Sequence, residues 1–124
     1  MIVADSDVLI DFLRNGGAAP RVMELLKKGV LCTTAISAFE LQSGISSKKA
    51  LKSALDLLAA VKIFPLDDAA AKIAAEIYRE LSGQGQGIGM GDSLIAGICC
   101  SNDLPILTRN LKHFDRVEGL VIAS

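Results

Sequence analysis

A chain of 124 residues is long enough for one domain with a core of its own and too short for two. Apolar residues make up 51% of it but aromatics only 4%, with no Trp, so the core must be Leu, Ile, Val and Ala, and a row of base-stacking aromatics is excluded. The net charge of −1 excludes a global basic field, so any contact with nucleic acid has to come from local Lys and Arg clusters.

Ile2-Val3-Ala4 reads as a short strand buried on both faces, because it is apolar, rich in β-branched residues and uncharged. Val8 to Leu13 suits a short helix that Asn15-Gly16-Gly17 ends. Ala19-Pro20 opens a second helix to about Lys28, with Val22, Met23 and Leu26 as its apolar stripe. Val30 to Thr34 is a second strand. Ser37 to Ser43 is a helix in which Ser37 and Glu40 have the spacing of a capping box. The next helix runs from Ser46 to about Ala60 with Leu51, Leu55 and Leu58 on one side, and Val61 to Phe64 is a third strand stopped by Pro65.

Asp67-Asp68 begins the clearest helix, to about Leu81, in which Ala70, Ile73, Ala74, Ile77, Tyr78 and Leu81 recur at three and four residues. Gly recurs at every second position from Gly83 to Gly91, a connection that would let the following helix approach the sheet closely. Asp92 to Cys100 is an apolar helix, Pro105 to Thr108 a fourth strand and Leu120 to Ile122 a short fifth. Strands alternating with helices imply βαβ units, hence an α/β fold: a parallel sheet of four to five strands between two helical layers, one domain over residues 1–124.

The opening apolar run lacks a basic leader and is broken by Asp5 and Asp7, and no apolar stretch is long enough to span a bilayer, so a cytoplasmic protein is expected. Three cysteines without a C-x-x-C pair argue against a disulfide framework. Cys32, Cys99 and Cys100 read as buried apolar residues rather than as zinc ligands with His113.

Three acids fall where a strand gives way to a helix or early in a helix: Asp5, Glu40 and Asp92. In a parallel sheet these places share one edge, outside the carboxyl ends of the strands, so the three can converge. Converging carboxylates stay ionised only around a cation, and an all-oxygen set favours Mg²⁺ or Mn²⁺. Each acid also has a plain structural reading. Asp5 can cap the helix after it, Glu40 can close a capping box with Ser37, and Asp92 can answer a helix dipole. Against the last stands the apolar segment Met90 to Ala96, where an uncompensated acid is costly.

Four blocks in order carry a family resemblance. Asp5-Ser6-Asp7-Val8-Leu9-Ile10-Asp11 resembles a D-T-[ND]-hydrophobic opening, with Ser for Thr. Ser37 to Gly44 fits S-x-x-E-x-x-x-G, Ile88 to Ala96 fits I-x-x-x-D-x-x-I-A, and Thr108 to Phe114 fits T-x-[ND]-x-x-[HD]-F. Together they resemble PIN-domain ribonucleases of the small VapC toxin type, over essentially the whole chain. The resemblance implies a three-layer α/β/α sandwich, a Mg²⁺-dependent endoribonuclease (Mn²⁺ as the alternative ion), a small VapB-type antitoxin as partner, and a homodimer. It implies Asp5, Glu40 and Asp92 as the acidic triad that holds metal, with Ser6 as the hydroxyl beside the first acid. The fourth acid of many family members falls at Asn110, where this chain departs. Asp7 reads as an outer-shell acid or a helix cap. Arg109, Lys112, Arg14 and the Lys48-Lys49-Lys52 cluster are the candidates for contact with RNA backbone.

Two other classes compete. Asp5-x-Asp7 and Gly91-Asp92 resemble parts of a haloacid-dehalogenase phosphatase, but Ala96 stands where its further acid belongs. The Asn at position 110 keeps open a PIN-like fold that binds RNA or a partner without cutting.

Overall fold

The computed structural model describes residues 1–124. Its elements alternate as the sequence implies: β1 (Ile2–Ala4), α1 (Ser6–Leu13), α2 (Ala19–Lys27), β2 (Leu31–Thr34), α3 (Ala35–Ser43), α4 (Lys48–Ala59), β3 (Lys62–Phe64), α5 (Asp68–Gly83), α6 (Met90–Ser101), β4 (Ile106–Leu107) and α7 (Leu111–Phe114). The sheet has the order β3-β2-β1-β4, and every pairing is parallel. The expected fifth strand is reduced to a single bridge, Ile106 to Ile122.

The strand period of two divides the core. Ala4 and Leu31 face one layer, where α1 to α4 contribute Val8, Leu9, Val22, Leu25, Ala38, Leu41, Ala54, Leu57 and Leu58. Val3, Cys32 and Ile106 face the other, against Leu81, Ile95, Ala96, Cys99 and Phe114. Helices on both faces explain why β1 and β2 carry no charged residue, the two threonines of β2 being buried and hydrogen-bonded, while the edge strand β3 exposes Lys62 and Ile63. Two expected stripes are corrected. In α2 the buried residues are Val22 and Leu25 while Met23 is 42% exposed, and in α4 they are Ala54, Leu57 and Leu58, with Leu51 and Leu55 turned outward. Both helices are apolar on more than one side, so local spacing leaves open which side meets the sheet.

The glycine run is shorter than it reads. The helix α5 continues through Gly83, and α6 starts at Met90, with Gly89 as its cap at φ +88. Gly97 is where close approach is needed: a β-carbon there would meet the Ala74 β-carbon at 2.6 Å and Ala70 O at 2.7 Å. Cys32 and Cys99 are buried as expected, but Cys100, near the end of α6, is only half-buried; burial pushes the Cys32 thiol up to about 11. No helix is long and apolar enough to cross a membrane.

Candidate active site

The strand β1 is central, and the chain reverses direction across the sheet between it and β4, which opens a crevice at their carboxyl ends. Asp5 stands there, 4% exposed, with its N–H donating to Leu107 O at 3.0 Å. The cap reading of Asp5 holds. Its Oδ1 accepts the Ser6 N–H at 2.8 Å and caps α1, and its Oδ2 accepts the Thr108 hydroxyl at 2.8 Å. Burial raises its pKa from 3.8 to about 7; Asp7 and Asp92 add to the rise, and the bonds from Thr108 and Ser6 oppose it.

Glu40 is not part of a capping box. The cap of α3 is Thr34, which accepts the Ser37 N–H at 3.0 Å, so the helix begins at Ala35 and Glu40 lies in its second turn. Freed from the helix end, Glu40 Oε1 accepts the Ser6 hydroxyl at 3.1 Å. Burial raises its pKa, the Ser6 bond opposes the rise, and the charges of Asp92 and Asp7 add to it. The Oε2 atom faces Gly91 at the start of α6, close enough that a β-carbon on the glycine would stand 3.2 Å away.

Asp7 does not cap a helix. Its Oδ2 accepts the Arg109 N–H at 3.1 Å, while Oδ1 is buried without a donor. Its pKa is raised first by burial, and Asp92 adds to the rise. Asp92, in the first turn of α6, receives two donors on Oδ2: Asn110 Nδ2 at 2.9 Å and His113 Nδ1 at 2.8 Å. Four carboxylates therefore sense one another in one crevice, drawn from α1, α3, α6 and the end of β1.

No three of these side chains close on one point as a ready-made metal cage. The donor set still fits a hard divalent cation: every charged group is a carboxylate, and a buried carboxylate oxygen such as Asp7 Oδ1 lacks any other partner. Asn110 lies beside the acids, with its amide turned to Asp92.

Of the basic candidates, Arg109 borders the crevice, where its charge opposes the rise at Asp7, and the others are surface residues. Arg109 pairs with Asp11 at 3.1 Å, while Arg14, Lys48 and Lys112 are exposed and hold no ion pair. Arg14 and Lys49 line a surface cavity of about 450 Å³ between α1, α3 and α4 that contains no acid and is separate from the crevice. Sequence reasoning missed Thr108 and His113 as site residues, although both stand in the fourth block, and missed Asp11, which also accepts the Ala18 N–H at 2.6 Å.

The PIN domain family model matches residues 2–120. A tRNA(fMet)-specific endonuclease VapC of Shigella flexneri is 30% identical over 120 residues, 94% of this chain and 91% of the relative. Ribonuclease VapC10 of Mycobacterium tuberculosis is 34% identical over 121 residues, 97% of this chain and 90% of the relative. Among solved structures, a DNA-bound VapBC of Salmonella typhimurium superposes with a TM-score of 0.82 at 26% identity, over 99% of this chain and 98% of that one. A parallel sheet with acids gathered at the end of β1, matched along nearly its whole length, leaves one assignment: this chain belongs to the PIN-domain family, among the VapC proteins.

Proposed function

We propose that this protein is a metal-dependent endoribonuclease, the toxin of a VapBC-type toxin–antitoxin pair, with Asp5, Glu40 and Asp92 as its catalytic acids and Mg²⁺ as its ion. The observation that carries the reading is the meeting of these acids with Asp7 in one crevice, where burial first and neighbouring acids second favour the neutral forms of Asp5, Asp7 and Glu40 unless a cation compensates. The ribonuclease names of the VapC relatives support RNA as substrate, and the similar VapBC complex supports a small antitoxin as partner.

Asp5 and Asp92 would hold the ion, with the Ser6 N–H and the Thr108 hydroxyl fixing the two oxygens of Asp5 and the Asn110 and His113 donors fixing one oxygen of Asp92. Once bound, a divalent cation would neutralise charge on the phosphoryl group and acidify the attacking water. Glu40 would be the base: Ser6 holds Oε1, burial raises its affinity for a proton, and Oε2 beside Gly91 would take the proton from the attacking water. Arg14, Lys48 and Lys112, unpaired on the surface, would meet RNA phosphates, and Arg109 would do so after release from Asp11.

The phosphatase reading loses ground because Ala96, where that class requires an acid, is fully buried among apolar side chains. Incubating the protein and its Asp92→Asn variant with structured RNA and Mg²⁺ tests the proposal. Cleavage is expected from the parent only. Equal cleavage by both would refute the site, turnover of a chromogenic phosphate ester in place of RNA would point to a phosphatase, and tight RNA binding without cleavage would point to a binding module.

A further inference from the structure

His113 and Asn110 grip Asp92 by the same oxygen. Asn110 Nδ2 is 2.9 Å and His113 Nδ1 2.8 Å from Oδ2, leaving Oδ1 without a protein donor. A carboxylate oxygen only accepts, so Nδ1 must be the protonated ring nitrogen. The 3.0 Å between Asn110 Nδ2 and His113 Nδ1 then separates two donors that share an acceptor, and is not a third bond.

The segment that presents them is itself anchored. Thr108 Oγ1 accepts the Asn110 N–H at 3.0 Å while donating to Asp5, and Phe114, next to His113, is fully buried. Spacing of three residues through α7 brings both donors to one side.

Asp92 has a competing destination. It is the third residue of α6, whose cap, Gly89, supplies no side-chain acceptor. An acid at that position can fold back toward the unpaired N–H groups of its own helix start. A lone Asp side chain also rotates easily about its last bond. Two donors on Oδ2 oppose both.

We propose that His113 is a positioning residue for Asp92, holding Oδ2 with Asn110 so that Oδ1 is directed at the cation. The proposal rests on the metal-site reading above and adds to it a residue that family position alone leaves without a role. Here Asn110 gives Asp92 a hydrogen bond where an acid at that place would add charge, and His113 supplies the second bond that completes the grip.

Calorimetric titration with Mn²⁺ tests it on the wild type, His113→Ala and His113→Asn. The Asn variant places an amide nitrogen where Nδ1 now stands, and the side chain is partly exposed, so both variants should fold. His113→Ala is expected to lose about 10- to 100-fold in Mn²⁺ affinity, the usual effect of removing a group that orients a metal ligand. His113→Asn should recover most of it, the melting temperatures in chelator should agree, and excess Mn²⁺ should restore RNA cleavage to the Ala variant. Unchanged affinity in His113→Ala overturns the proposal and leaves the metal site standing. A fall in the chelated melting temperature with no rescue by Asn or by excess Mn²⁺ makes His113 merely structural and also overturns it. Absence of Mn²⁺ binding by the wild type removes the metal-site reading and the proposal with it.

Discussion

Gly91 and Glu40 face each other across the crevice so closely that a β-carbon on the glycine would lie 3.2 Å from Glu40 Oε2. That distance is tight but yielding, because the atom it meets ends a flexible side chain. Gly91 lies in the first turn of α6 without a positive φ, so Ala suits the backbone and helix propensity favours it by up to about 1 kcal/mol. Stability and activity should therefore part. Gly91→Ala is expected to melt no lower than the parent while RNA cleavage falls about tenfold or more, because the methyl displaces the proposed base. Thermal melting beside single-turnover cleavage checks it; parallel loss of both would show a packing defect.

Asp7 separates fold from function in another way. Its Oδ1 is buried without a donor and in the field of Asp92, a cost the fold bears with no return of its own. Asp7→Asn keeps an acceptor for the Arg109 N–H and removes one of four like charges. In chelator the variant should melt above the parent. The extra stabilisation on adding Mg²⁺ should shrink, and cleavage should fall by at least about tenfold. A variant that Mg²⁺ stabilises as strongly as the parent would remove Asp7 from the cation site.

Much of this was legible in the chain. Alternation of strands and helices, with acids at strand ends or early in helices, allowed Asp5, Glu40 and Asp92 to meet on one edge, and the four-block resemblance singled them out as a set. What escaped had physical reasons. Ser37 and Glu40 have capping-box spacing, but Thr34, at the end of β2, reaches the Ser37 N–H first, and no local pattern reveals that competition. Leu51, Leu55 and Leu58 look like a core stripe because α4 is leucine-rich on two sides, and only the position of the sheet selects Ala54, Leu57 and Leu58. The contact of His113 with Asp92 spans 21 residues and depends on where the turn after β4 sets down α7.

The contact between α5 and α6 offers a control remote from the crevice. A β-carbon at Gly97 would meet the Ala74 β-carbon at 2.6 Å, Ala70 O at 2.7 Å and Ala74 N at 2.8 Å. Two of these are backbone atoms that cannot swing aside, so the helices must separate. Gly97→Ala should lose about 1 to 3 kcal/mol, net of the propensity gain, read as a lower urea midpoint at unchanged slope. Cleavage per folded molecule should hold, because the helix end that carries Asp92 lies more than a turn away.

The crevice also sets how stability responds to pH. Asp5 titrates near 3.8 when unfolded and at about 7 in the fold, mainly because burial penalises its charge. Between those values the native state binds the extra proton, so stability falls as pH rises. The contribution is fully present below about pH 4 and lost by about pH 7, with a ceiling of roughly 4 kcal/mol from this group. Asp7 and Glu40, raised for the same first reason, steepen the trend. A cation that needs these acids ionised acts in the opposite sense, so stabilisation by Mg²⁺ should grow with pH over the same window. Urea unfolding in chelator across that range should show the decline in the parent and a flatter profile in Asp5→Asn. Equal slopes in the two proteins would mean that Asp5 is ionised in the fold throughout, and that the crevice holds its charge without a cation.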